Sequence, residues 1–194
     1  MKRAFDLYDY VRLDHFRGFE AYWAVPHGKV ALDGFWMPGP GMDLFRAAYD
    51  ALGPLPILAE DLGFITPGVN AMIAQLGIMG TQVIQFYEGD PLKPYGVHYG
   101  KIAYPGTHDS CTTLGWVQLN HPNMDAESTA LRILDNIYNS DAPIIITPLQ
   151  DLIGLGDDAR MNTPGTAEGN WAWQAHWDMF FTRNWRIDRV LHRK

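Results

Sequence analysis

The chain has 194 residues, 47% of them hydrophobic and 19% charged. That suffices for one domain with a sizeable core and excludes both a disordered composition and an apolar run long enough to span a bilayer. A formal net charge of −7 argues against a nucleic-acid partner and favours a neutral ligand, and a single cysteine, Cys111, excludes an internal disulfide and a cysteine-rich zinc site.

Along the chain, short apolar runs alternate with helical spacing. Val11-Arg-Leu-Asp14 reads as a strand near 10–14, and the stretch at about 20–42 reads as a small insertion before the next unit. Asp43 to Leu52 has helical spacing with an acidic start and Gly53 as its stop. A strand at 56–60 follows. Thr66 is an N-cap and Pro67 the first residue of a helix that runs through Leu76 and ends at Gly77. Strands are predicted at 81–86 and 101–104, separated by a Gly/Pro/Tyr loop. Glu127 to Tyr138 places Leu131, Leu134, Ile137 and Tyr138 on one helical face. The apolar run at 143–147 is a buried strand, and the aromatic then basic segment from Asn170 to Lys194 is a terminal helix.

Five strands with helices between most of them make an α/β chain whose strands are buried in parallel. An eight-stranded β/α barrel takes about 250 residues, so this chain supplies little more than half of one. The start, Met1-Lys-Arg-Ala-Phe-Asp, lacks the apolar core of a secretory signal, so a cytoplasmic location is expected.

Three of the runs end in an acid: Asp14, Glu60 and Asp109. Acids at the C-terminal ends of parallel strands are where a β/α barrel keeps its chemistry. Exchange at an acetal carbon needs a carboxylate to attack, a protonated carboxyl to help the leaving oxygen depart, and further charge to fix the sugar. The 7 Trp, 9 Tyr and 9 Phe suit sugar faces, although for any single ring a place in the core is favoured. His15 and His108 beside two of the acids also admit a metal reading, but no second closely spaced histidine pair accompanies them, and no metal is expected. Strand-end acids alone do not choose among barrel chemistries.

More specific are the strings Arg12-Leu-Asp14-His15-Phe-Arg17-Gly18-Phe, Ala59-Glu60-Asp61-Leu-Gly63, Gly106-Thr-His108-Asp109, Gln150-Asp-Leu-Ile-Gly-Leu-Gly and Arg160-Met-Asn162-Thr-Pro-Gly165-Thr-Ala-Glu-Gly-Asn170-Trp171. With Tyr22-Trp-Ala-Val-Pro-His-Gly and Gly34-Phe-Trp-Met-Pro-Gly-Pro-Gly41, they resemble, in order and over nearly the whole chain, the 4-alpha-glucanotransferases (amylomaltases) of the alpha-amylase clan. The resemblance implies that residues 1–194 are the C-terminal part of a catalytic (β/α)8 TIM barrel, about strands 4 to 8 with their helices. It further implies a retaining double displacement that moves alpha-1,4-glucan segments between maltooligosaccharides, with glucose as an acceptor and no cofactor. Asp14 matches the nucleophile, Glu60 the general acid/base, and Asp109 the acid that holds sugar hydroxyls and stabilises the transition state.

Glu60 must carry a proton for the first step while Asp14 stays ionised, and Arg12, on the same strand face, is placed to hold it so. The carboxyls of Asp14 and Glu60 are expected about 5–5.5 Å apart, as in retaining enzymes. His15 and His108 match contacts to glucose hydroxyls, which needs their strands to be turning into loops already. Phe86 matches a ring near the reacting sugar. Where the family usually reads Thr-His-Asp-Asn-Asp-Thr-Thr, this chain has Ser110 and Cys111, and Val97-His98-Tyr99 replaces the usual Pro-His-Asn. An N-terminal half is expected to supply the missing strands. The competing reading is an inactive glucan-binding or assembly fragment, and a plain alpha-glucosidase is a third.

Overall fold

The computed structural model describes residues 1–86 and 100–191. They divide into two compact units, Met1–Thr81 and Gln82–Lys194. The loop tripeptide Val97-His98-Tyr99 lies outside the described residues.

The first unit contains helix α1 (Lys2–Phe5), strand β1 (Val11–Leu13), a 3-10 turn at Phe16–Phe19, strands β2 (Ala21–Ala24) and β3 (Phe35–Pro38), helix α2 (Gly41–Leu52), strand β4 (Ile57–Ala59) and helix α3 (Pro67–Leu76). β1 and β4 pair in parallel, Val11 opposite Ile57 and Leu13 opposite Ala59. Two strands joined in parallel need a crossover, and α2 supplies it. Its Phe45 packs with Phe16, Ile57, Ala59 and, from α3, Val69 and Met72 in one buried cluster. α3 begins as its sequence dictates, with the Thr66 hydroxyl accepting from the Val69 N–H at 3.3 Å and Pro67 at the first helical position, and it ends at left-handed Gly77.

Residues 20–42 carry an antiparallel hairpin in which Ala21 faces Pro38 and Trp23 faces Trp36. Its strands are aromatic on the outside. Beneath it, the buried Arg17 guanidinium lies 3.8 Å from the Trp36 ring centroid and donates to the Phe64 carbonyl at 2.6 Å.

The second unit is built on β5 (Gly80–Val83), in which the division of the chain falls, β6 (Lys101–Tyr104) and β7 (Ile144–Ile145), ordered β5-β6-β7 in one sheet. β6 and β7 are parallel, Ile102 opposite Ile144. Helices α4 (Thr113–Asn120), α5 (Ala126–Tyr138), α6 (Leu149–Ile153) and α7 (Trp177–Leu191) complete it. Ile84, Ala103, Val117, Ala130, Ile133 and Ile137 form its core.

The expected elements differ from these in several places. The strand expected to be buried at 143–147 is only the half-buried pair Ile144–Ile145, with Ile146 exposed, and α1, the hairpin strands β2 and β3, and α6 were not predicted. The strand predicted at 81–86 stops at Val83 and tightens into a 3-10 turn, Ile84–Phe86, where the Gln85 amide donates to the Cys111 carbonyl at 2.9 Å. That contact is close because residue 106 is glycine: a Cβ there would meet Gln85 Nε2 at 2.6 Å. The terminal helix starts at Trp177 rather than Asn170, because the Asn170 side chain is spent on a turn, its Oδ1 accepting from the Thr163 N–H and its Nδ2 donating to the Thr166 carbonyl. Residues 192–194 of that predicted helix lie outside the described residues. α4 was not anticipated, since its buried Thr113, Gly115 and Val117 make no apolar stripe; the Thr112 cap, accepting from the Gly115 N–H at 3.1 Å, starts it.

α7 is fastened through three arginines spaced three residues apart, hence on one face. Arg183 donates to the carbonyls of Ile153 and Gly154, Arg186 to Glu127 at 2.9 Å, and Arg189 to Asp135 at 3.0 Å. Arg186 is only 1% exposed, and Gly154 makes room for it: at φ +70, a Cβ on residue 154 would stand 2.3 Å from the guanidinium carbon. Gly154→Ala is therefore expected to destabilise by more than the ~1–2 kcal/mol of a left-handed alanine, because Arg186 must also move. Thermal unfolding of the purified variant checks this, and a melting temperature equal to the parent would refute it. Among the described residues, no helix is long and apolar enough to cross a membrane.

Candidate active site

β1 and β4 end in register at Leu13 and Ala59, so the next residue of each, Asp14 and Glu60, leaves the same end of the same strand pair. The backbones stay joined one step further, with the Glu60 N–H donating to the Leu13 carbonyl at 3.0 Å and the Phe16 N–H to the Glu60 carbonyl at 2.9 Å. Neighbouring parallel strands run about 4.8 Å apart, which sets the scale on which the two side chains start.

Arg12 donates to Asp14 Oδ1 at 2.6 Å. Asp14 is 64% exposed, so this pair orients and polarises the carboxylate more than it stabilises the fold. The Glu60 carboxylate accepts from the His15 backbone N–H at 2.6 Å. His15 has φ 47 and ψ 53, a left-handed conformation that ends the strand and turns the chain into the Phe16–Phe19 helix. The two-residue alternation of β1 has thus stopped before His15, whose side chain is exposed. Arg12, Asp14, His15 and Glu60 share one strand end. The adjacent Asp61 is buried and accepts from the Thr81 N–H at 2.6 Å, which ties this end to the start of β5.

Asp109, His108 and Phe86 belong to the second unit. Asp109 sits in the loop after β6 and is held from several directions. The Asn162 amide donates to its Oδ1 at 2.6 Å, His108 Nε2 lies 3.4 Å from its Oδ2, and Arg160 donates to its backbone carbonyl at 2.8 Å. The Asn162 N–H donates to the His108 carbonyl at 3.1 Å, and the Trp171 ring lies 5.4 Å from the His108 ring. Phe86, 62% exposed, ends the 3-10 turn whose Gln85 reaches Cys111, two residues past Asp109.

Reading the acids by strand ends missed Arg160, Asn162 and Trp171. All three lie in the Arg160 to Trp171 string, whose density of Asn, Gly and Pro was the signal available. Trp171 is itself left-handed, at φ 60, and half exposed beside His108. A hydrogen-bonding carboxylate flanked by a histidine and an open indole face can bind hydroxyls at its edge and an apolar ring face beside them. No cluster of three or more metal-ligating side chains occurs among the described residues. A groove of about 440 Å³ between α2 and α3, at Phe45, Tyr49, Leu55 and Leu76, holds none of these residues.

Known proteins share this arrangement of sequence. The profile of the 4-alpha-glucanotransferase family matches residues 1–180. The 4-alpha-glucanotransferase of Synechocystis sp. is 44% identical over 190 residues, covering 88% of this chain and 37% of that protein. That of Thermus thermophilus is 39% identical, covering 90% and 39%. The chain thus spans about two fifths of the length of these curated relatives. Among solved structures, the amylomaltase from Streptococcus agalactiae in complex with acarbose superposes with a TM-score of 0.85 at 31% identity, over 98% of this chain and 42% of that one. An amylomaltase from Corynebacterium glutamicum shares the fold at a TM-score of 0.61 and 20% identity, over 84% of this chain and 31% of that one. With a family match that leaves out only its last residues, this α/β chain belongs to the 4-alpha-glucanotransferase family.

Proposed function

We propose that the chain carries the catalytic acids of a cytoplasmic enzyme that moves alpha-1,4-glucan segments between maltooligosaccharides. In this reading it contributes about strands 4 to 8 of a (β/α)8 barrel, and the remaining length typical of its relatives supplies the rest. The observation that carries it is the exit of Asp14 and Glu60 from adjacent, in-register parallel strands, one residue past the last pair. Carboxyls that leave neighbouring strands at one end suit the short separation of a retaining displacement.

In the first step, an Asp14 oxygen bonds the anomeric carbon as the bond to the leaving 4-oxygen breaks, and Glu60 gives that oxygen its proton. In the second, the Glu60 carboxylate takes the proton of an acceptor 4-hydroxyl, whose oxygen displaces Asp14. Arg12 orients the nucleophile between the two. Within the second unit Asp109 and His108 bind sugar hydroxyls and Phe86 is a ring wall; within the first, His15 is a further hydroxyl contact. The acarbose bound to the related amylomaltase supports an oligosaccharide as the ligand.

The complete protein, incubated with maltotriose, is expected to give glucose together with maltopentaose and longer chains. Glucose and maltose without chain lengthening would make it a hydrolase, and no product at all would refute the reading.

A further inference from the structure

The network around Asp109 turns on one side chain that touches no proposed substrate position. Arg160 Nη2 donates to the Asp109 carbonyl at 2.8 Å, and its Nε donates to the Asn162 carbonyl at 2.8 Å. Asn162 in turn gives its side-chain amide to Asp109 Oδ1 at 2.6 Å and its N–H to the His108 carbonyl at 3.1 Å. The same guanidinium reaches Cys111 Sγ at 3.4 Å, and Asp157 lies 3.8 Å from it. Asp157 is itself anchored, its Oδ1 accepting from the Thr112 N–H at the start of α4.

One rigid plane therefore grips both the backbone that carries the Asp109 carboxylate and the backbone that carries the donor aimed at it. We propose that Arg160 is a positioning residue for Asp109, setting the carboxylate by fixing Asn162 and the His108–Asp109 peptide relative to each other. This rests on the assignment of Asp109 to sugar binding and transition-state stabilisation above. A guanidinium presents donors along two edges of a plane, whereas a lysine ammonium is a point charge that cannot span both carbonyls in fixed geometry. A displacement of about 1 Å at a transition-state contact can cost on the order of 10²-fold in rate. The loss should appear in kcat and kcat/KM alike, since the contact matters most at the transition state.

The test is a double-substitution cycle on the complete protein, with maltotriose as substrate. Arg160→Lys is expected to lower kcat by about 10²-fold with little change in KM. In an Asp109→Asn background the same substitution should change nothing further, because the group being positioned is already neutralised. A parent-like Arg160→Lys, or a loss of the same size in both backgrounds, would overturn the proposal. Should Arg160→Lys fail to fold, Asn162→Ala takes its place with the same expectation, and wild-type kcat in that variant would equally overturn it. Failure of the underlying reading looks different: there, Asp109→Asn alone retains full transfer.

Discussion

Glu60→Gln in the complete protein is expected to slow glucan transfer by about 10²–10⁴-fold, the usual contribution of a positioned general acid/base. Glutamine preserves the acceptor for the His15 N–H that now holds Glu60 Oε2 at 2.6 Å, so the strand end stays built while the proton is lost. The more telling measurement uses a maltosyl fluoride as donor. Fluoride departs without protonation, so Asp14 can still form its ester. The second step, which needs a base for the acceptor hydroxyl, then stalls. A covalent maltosyl adduct on Asp14, seen by mass spectrometry of the Glu60→Gln protein, is the expected result. An adduct elsewhere, or none, together with unaffected turnover, would remove Asp14 and Glu60 from their roles. Asp14→Asn should give no adduct and at least as large a loss of transfer.

The second large effect concerns stability and lies at the foot of α7. Asp151 is 3% exposed; its Oδ1 accepts from the Thr113 N–H at 2.5 Å, and its Oδ2 has no hydrogen-bond partner among the described residues. Burial pushes its carboxyl up to about 6 from 3.8, against the pull of the Thr113 hydrogen bond and the Arg186 charge. Because the folded state binds this proton more tightly than the unfolded chain, the stabilisation is complete below pH 3.8 and is lost as pH rises through about 6. Asp151→Asn keeps the acceptor for Thr113 and removes the titration. Between pH 4 and 8 the parent should lose roughly 2–3 kcal/mol of stability relative to this variant, read from denaturant unfolding at each pH. Parallel stability curves would contradict it.

The Arg186 charge favours the ionised form of Asp151. Burial lowers the pKa of Arg186 itself, and its Nε has no hydrogen-bond partner among the described residues. Arg186→Met is expected to cost about 3–5 kcal/mol near pH 8, where it strands a buried carboxylate, and clearly less at pH 4, where that carboxyl is protonated. Equal losses at both pH values would mean that lost packing, rather than lost charge, dominates.

Much of this was legible in the chain itself. Thr66-Pro67 opened α3 and Gly77 closed it, because a hydroxyl cap, a fixed proline φ and a left-handed glycine are local requirements that act before any tertiary contact. The apolar runs of β1, β4 and β6 and the packed face of α5 were equally plain, since burial of alternating or 3.6-spaced side chains is written in their order. Motif strings located Asp14, Glu60 and Asp109. Other features needed the folded chain. Asn170 and Trp171 look like the start of a helix, yet Asn170 closes a turn on Thr163 and Thr166 and the Trp171 ring lies against the distant His108. Val83 ends β5 early because Gln85 has a partner at Cys111, 26 residues away. Nothing around Arg160 in the sequence shows that its three guanidinium nitrogens meet the Asn162 carbonyl, the Cys111 sulfur and the Asp109 carbonyl. Local sequence determined where elements start, stop and bury a face, because those preferences act within one turn or one strand. Tertiary structure alone decided which distant polar groups meet, because a hydrogen bond between residues 51 positions apart, such as that from Arg160 to Asp109, has no signature in either neighbourhood.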